Sequence, residues 1–219
     1  MLTGLKIDKY HVIMKKIMTF AVALMAVLAA VASTPVDKKY LAGAVPVVNG
    51  QVLYEKTYEV PGKTAGELLE LVQGYAQAEL VSGPDHGPQA RLTEVNAEDG
   101  VVAASIQETM WFLRKPMRSD FCQFYYQIVF QVKDGAVDVM LRGLRYTYEL
   151  TDRPEDALTV RAEEWITDKE ALSKNGAKMK KMNGKFRKAT VDRKDAIFQN
   201  IGKALGAKTV NKTIVVEEY

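Results

Sequence analysis

His86, Cys122 and a scatter of carboxylates are the side chains of this chain best suited to reactive chemistry, and their spacing argues against a reactive centre. The 219 residues include two histidines and one cysteine. His11 precedes an apolar leader, which leaves His86, in a Gly/Pro-rich loop at residues 82–88, to act alone. A zinc site draws on several His, Cys or acidic ligands, and His86 has no second His beside it. The same shortage removes a Cys–His pair, and no Ser sits in a Gly-x-Ser-x-Gly elbow. Phosphate-loop and dinucleotide glycine patterns are absent. His86 therefore reads as a solvated loop residue. Glu163 and Glu164 are neighbours, so on a helix they diverge by about 100°. Glu94, Glu98 and Asp99 crowd a turn. Glycosidase chemistry needs two carboxylates held about 5 to 9.5 Å apart across a cleft, and no such pair can be placed. No catalytic residue, metal ligand or cofactor is assigned.

Aromatic residues offer binding rather than reaction. Trp111, Phe112, Phe121, Tyr125, Tyr146 and Tyr148 gather near strand ends and along two long strands. Between residues 121 and 132 the pattern alternates. Cys122, Phe124, Tyr126, Ile128, Phe130 and Val132 face one way, with Gln123, Tyr125, Gln127 and Gln131 on the other. Tyr125 flanked by Gln123 and Gln127 is the candidate binding surface, suited to a peptide, a glycan or an envelope protein.

The elements that must position these residues can be followed along the chain. Residues 45–60 form a hairpin around Asn49-Gly50, both of which tolerate positive φ. Thr64 and Glu67 make a capping box that opens a helix. Leu68, Leu71, Val72, Tyr75 and Ala76 give it an apolar stripe, and Gly74 suggests close approach to a strand. Ser82-Gly83-Pro84 stops it. Strands follow at 91–95, 101–112, 121–132 and 136–150, and the alternation of the last reverses near Arg142-Gly143, as a bulge would make it do. Residues 151–189 read as a polar connector in which only 162–166 is ordered. Thr190 or Asp192 caps a final helix with Ile197, Phe198, Ile201 and Leu205 as its stripe and Gly206 at its end. Residues 213–216 form an edge strand or a loose tail. The expected class is α+β, a curved antiparallel sheet with two amphipathic helices on one face.

The N-terminus reads as a secretory leader. Lys15 and Lys16 precede an uncharged apolar run over residues 17–32 that ends in Ala30-Val31-Ala32, the small residues a signal peptidase requires. The run is shorter than the roughly 20 residues a spanning helix needs. Met14 is a more natural start than Met1. Residues 1–32 are thus a signal peptide, 33–44 a linker, 45–206 one domain including the connector, and 207–219 a tail. Ser33 stands where a lipoprotein would carry its acylated cysteine, so the expected product is periplasmic or extracellular, with no membrane-spanning segment after cleavage. The 30 basic and 27 acidic residues lose four lysines and one aspartate with the leader, leaving 26 of each. A neutral chain lacks the basic field of a nucleic-acid binder. The one basic cluster, from Lys174 to Lys188, reads as a solvated connector.

Four pieces carry a family resemblance: Val47-Val48-Asn49-Gly50-Gln51-Val52-Leu53-Tyr54, Val60-Pro61-Gly62-Lys63-Thr64, Ala162-Glu163-Glu164-Trp165-Ile166, and Lys185-Phe186-Arg187-Lys188-Ala189-Thr190-Val191-Asp192. In order and spacing, over residues 46–205, they resemble the domain-of-unknown-function family numbered 4468. That family occurs mainly in exported proteins of Gram-negative bacteria. The resemblance implies a TBP-like arrangement of sheet and helices. It implies no reaction, ligand or catalytic residue, and a TBP-like geometry does not license DNA binding.

Two function classes follow. One is a non-catalytic envelope binding or assembly module using the open sheet face or an edge strand. The other is a hydrolase or small-ligand protein with a cleft between the sheet and residues 151–189. An aromatic patch on the glutamine face favours the first, and a deep pocket with at least two convergent carboxylates favours the second. The oligomeric state is not legible.

Overall fold

The computed structural model describes residues 36–149 and 156–207. The leader, the tail and the edge strand expected at 213–216 lie outside the described residues. Strands β1 (Val47–Val48) and β2 (Gln51–Glu59) pair across Asn49-Gly50, whose φ values of 50° and 77° give the tight turn the sequence called for. Helix α1 (Ala65–Tyr75) opens on a complete capping box. The Thr64 amide donates to Glu67 Oε2 at 2.8 Å, and the Glu67 amide donates to Thr64 Oγ1 at 3.3 Å.

The stripe of α1 differs from the expected one. Leu68, Leu69, Val72 and Ala76 are buried, while Leu71 is 39% exposed. The helix lies on its i, i+4 row, which a π turn (Ala76–Leu80) prolongs to buried Leu80, and this rolls Leu71 outwards. Gly74 is on the outer side with nothing near it, so the expected close approach is absent.

Strands β3 (Arg91–Asn96), β4 (Val101–Lys115), β5 (Arg118–Lys133), β6 (Ala136–Glu149) and β7 (Ala157–Arg161) complete one antiparallel sheet. Its order is β1-β2-β6-β5-β4-β3, with β7 also on β6. β6 is shared along one edge: residues 136–142 pair with β2 and residues 145–149 with β7. The phase reversal in β6 is a bulge. Tyr125 faces Arg145 and Gln127 faces Arg142, so two residues of β6 oppose one of β5, and Gly143 supplies φ 64°.

Two short helices, α2 (Ala162–Trp165) and α3 (Asp168–Ala171), precede the long helix α4 (Lys181–Leu205). The 156–189 region is therefore not a loose connector. It contains β7, α2, α3 and the first turns of α4, which begins at Lys181 rather than at Thr190 or Asp192. Buried Phe186 and Arg187 pull those turns onto the core, and tertiary burial outweighs the missing side-chain cap at Lys180. Gly206, at φ 64°, ends the helix as expected.

One face of the sheet meets α1 and α4. Ile106, Phe124, Ile128, Phe130, Val139, Leu141 and Tyr146 pack there against Leu68, Val72, Phe186, Ile197 and Ile201, all buried. Each such side chain contributes about 1.5 to 3 kcal/mol. On the opposite face Gln127 is exposed, Gln123 and Gln131 are half-buried, and no second layer covers them among the described residues.

Candidate functional site

The helix-covered face contains charged residues on apolar phases. In β4, Val102, Ala104, Ile106 and Met110 alternate inward, and Glu108 occupies the same phase. In α4, Arg193 falls on the row running from Phe186 through Thr190 to Ile197 and Ile201. Neither charge could be buried alone without a penalty of several kcal/mol. They are paired instead, Glu108 buried and Arg193 partly exposed: Arg193 Nε and Nη2 donate to Glu108 Oε1 and Oε2 at 2.8 and 2.6 Å, a forked pair. Burial alone would lower the Arg193 pKa, but the bonds to Glu108 more than offset this and raise it. The Tyr126 hydroxyl reaches Glu108 at 3.5 Å, and burial pushes that phenol well above its ordinary range.

His86 joins this pair, contrary to its reading as a solvated loop residue. The loop after α1 continues the ladder of β3 along the edge of β4. The Gly87 amide donates to the Gln107 carbonyl at 2.8 Å and the Thr109 amide to the Asp85 carbonyl at 2.7 Å. His86 thus faces Glu108 in an antiparallel bridge. Its side chain is 11% exposed, with Nε2 at 3.8 Å from Glu108 Oε2. Both ring nitrogens are buried without a hydrogen-bond partner. Trp111 locks the loop down by donating from Nε1 to Asp85 Oδ1 at 3.0 Å.

A cavity of about 720 Å³ opens beside these groups, between the end of α1, the 82–86 loop, β4 and one stripe of α4. Carboxylates of Glu79, Asp85, Glu108 and Asp192 line it, with Lys185, Lys188 and Arg193 as cations and Trp111 and Phe112 as apolar surface. Asp192 accepts from Lys188 at 2.8 Å and from Lys39 and the Tyr40 hydroxyl at 2.7 Å each. Partial burial would raise its pKa, but these donors prevail and hold it at about 2. Lys185 is pinned by Asp120 at 2.9 Å and the Tyr148 hydroxyl at 2.9 Å, below the rings of Phe112, Tyr148 and Phe186. With their charges paired, the lysines of the expected basic cluster that reach this wall do not form a free cationic face.

The cleft expected between the sheet and residues 151–189 is found in part. Lys185, Lys188 and Ala189 line it, but the remaining wall comes from α1, the His86 loop and later turns of α4. Its size falls in the range of small-molecule sites, about 300 to 1,000 Å³. Among the described residues no three His, Cys, Asp or Glu side chains gather to hold a metal. Cys122 is buried, and burial raises its thiol pKa to about 12, so it is not a thiolate nucleophile at neutral pH.

Gln123, Tyr125 and Gln127 lie on the opposite face. Gln123 is committed to a ladder in which Gln107 Nε2 donates to its Oε1 at 3.2 Å and its own Nε2 donates to Thr109 Oγ1 at 3.3 Å. Gln107 in turn accepts from the Gln89 amide at 3.1 Å. Tyr125 is half-buried with the Arg145 guanidinium 4.5 Å from its ring centre, and Gln127 is the exposed member. Glu163 and Glu164 diverge as expected, the first accepting from the Val52 amide at 2.7 Å and the second pairing with Arg161 at 2.9 Å.

Comparison with known proteins agrees with this architecture. Residues 54–147 match the family model described as a domain of unknown function (DUF4468) with TBP-like fold. Of the pieces that carried the resemblance, Val60 to Thr64 lies inside that match and the two later ones lie beyond it. A crystal structure of a DUF4468 family protein from Bacteroides ovatus is similar with a TM-score of 0.71 and 29% identity, over 80% of this chain and 99% of that one. A TBP-like protein from Parabacteroides distasonis is similar in fold, with a TM-score of 0.57 and 16% identity over 75% of this chain and 99% of its own. No curated protein matches. Residues 54–147 thus match the DUF4468 family model, within an open antiparallel α+β fold of the TBP-like kind.

Proposed function

We propose that this chain is a non-catalytic module of the cell envelope that binds a small organic molecule in the cavity beside His86. The observation that carries the reading is the cavity itself, walled by the Glu108–Arg193 pair and by a buried histidine whose two nitrogens lack partners. Buried imidazole nitrogens without hydrogen bonds cost stability, and such unsatisfied groups beside a cavity mark candidate ligand contacts. Export is supported by the basic head, the apolar run and the Ala-Val-Ala end of residues 15–32.

Trp111 lines the cavity and reports on it. In a Trp165→Phe background its fluorescence is titrated with a panel of polar metabolites, amino acids and short glycans. Saturable quenching that His86→Phe or Glu108→Gln abolishes supports the site. Binding that survives both substitutions, or no binding while mass spectrometry of protein from its own envelope finds no retained small molecule, overturns it. N-terminal sequencing of the mature protein is expected to start at Ser33.

The uncovered sheet face supports a second reading, capture of a peptide, glycan or envelope protein. Its specific observation is Tyr125 stacked with Arg145 beside exposed Gln127.

A further inference from the structure

The pairing of β5 with β6 ends at Gln123 and Thr147, and the loop that edges β4 ends at Thr109. Residues 110–122 therefore continue as a two-stranded ribbon, paired out to Lys115 and Arg118 across a Pro116-Met117 turn. Its base is clamped. Phe112 packs on Phe186 and Tyr148, Asp120 accepts from Lys185, and Trp111 packs at a tilt on Phe121.

Beyond that clamp the ribbon changes character. Met117 is 99% exposed, while the other exposed large apolar residues range from 38 to 44%. Arg114, Lys115 and Arg118 surround it, all exposed. Arg114 stacks on Trp111 and has only Asp85 at 3.8 Å as an ion partner, and Lys115 and Arg118 have none among the described residues. Three cations on one tip stand out in a chain whose lysine, arginine and acidic counts nearly cancel. A methionine held in water at a tight turn, ringed by guanidinium and ammonium groups, has the chemistry of an interfacial anchor. In such an anchor an apolar tip enters the acyl boundary and flanking cations meet lipid phosphates. The three residues from Leu113 to Lys115 extend about 10 Å, enough to cross a headgroup layer.

We infer that the tip of the β4–β5 hairpin is a contact surface for an anionic lipid bilayer, with Met117 inserted and Arg114, Lys115 and Arg118 on the headgroups. Lys115, Met117 and Arg118 do not line the His86 cavity, whereas Arg114 touches its rim at Trp111 and Asp85.

Co-sedimentation tests it, using vesicles of phosphatidylglycerol with phosphatidylethanolamine against vesicles of phosphatidylcholine. The protein is expected to bind the anionic vesicles at low salt and to leave them at high salt. Lys115→Gln with Arg118→Gln should weaken this about 25-fold, roughly five-fold per cation. Met117→Asp should weaken it further, with the melting temperature unchanged. Lys174→Gln with Lys178→Gln removes the same charge from another exposed site and should change little. Equal affinity for both vesicle types, an equal loss in the Lys174/Lys178 pair, or full binding by Met117→Asp would overturn the assignment.

Discussion

Two arginines on α4, six residues apart, lead opposite lives. Arg187 is fully enclosed and its fork is used on every side. Nε donates to the Tyr40 carbonyl at 2.6 Å, Nη1 to the Ile166 carbonyl at 2.8 Å, and Nη2 to the Leu41 carbonyl and Asp168 Oδ1, both at 2.6 Å. It ties the segment ahead of β1 to the α2–α3 corner, and it leaves no space beside it. Arg193 makes an equally good forked bond, but its partner Glu108 faces an unpaired imidazole and a cavity. A closed polar network fixes a fold, while one with unspent donors and room beside it is fitted to receive something. The difference lies in completeness, not in charge.

That contrast can be broken at several points. The largest effect is expected from Arg187→Ala, which leaves the Tyr40 and Ile166 carbonyls without donors, the Leu41 carbonyl keeping the Ala44 amide. It should cost about 3 to 5 kcal/mol, read as a fall in denaturant midpoint. If the protein tolerates it with little loss, the cluster is not the fastener its bonds describe. Glu108→Gln keeps the shape of the second cluster and removes its charge. A cost of about 2 kcal/mol is expected, because Arg193 retains access to water. Asp192, at the rim, gives a pH test. Its folded pKa of about 2 lies below the ordinary 3.8, so its contribution is present above about pH 4 and fades as pH falls through 2. Because the group is partly exposed, solvent screening limits that contribution to about 1 kcal/mol or less. Asp192→Asn should therefore trail the parent at neutral pH and converge with it in acid.

The smaller effects sharpen the contrast. His86→Phe removes two unsatisfied nitrogens and is expected to leave stability equal or raise it by up to about 1 kcal/mol, while abolishing Trp111 quenching. A clear loss of stability would place His86 with the fasteners. Tyr125→Ala, on the other face, should shift stability by about 0.5 kcal/mol and act only on partner capture. A large drop in melting temperature would make Tyr125 a packing residue instead.

Much of the frame could be read before any coordinates. The Asn49-Gly50 turn, the Thr64–Glu67 box, the alternation around Phe124 and the reversal at Gly143 are local rules, and local rules survive tertiary context. The stripe of α1 was misplaced at Leu71 because helical spacing alone does not say which row a sheet selects. The start of α4 was hidden because its first turns rely on burying Phe186 and Arg187, not on a cap. The cavity left one trace in the sequence: Glu108 and Arg193 both stand where their elements are otherwise apolar. Each anomaly was visible alone. Their pairing spans 85 residues and needed the fold. His86 was obscured because a Gly/Pro-rich stretch reads as a surface loop, whereas this one runs as an extra strand along β4.

The divided edge of β6 governs how this chain must assemble. The hairpins from residue 101 to 149 join neighbours in sequence and can form as soon as they are made. The lower half of that edge needs β2, from before them, and the upper half needs β7, after them. Glu163 then reaches across to the Val52 amide and closes the seam between two segments 111 residues apart. Half of an otherwise finished ladder thus stays open until the last third of the polypeptide arrives, and such an unprotected rim is where neighbouring chains adhere. A chain that emerges N-terminus first meets that interval every time, which makes delayed docking of β7 the exposed step of its assembly.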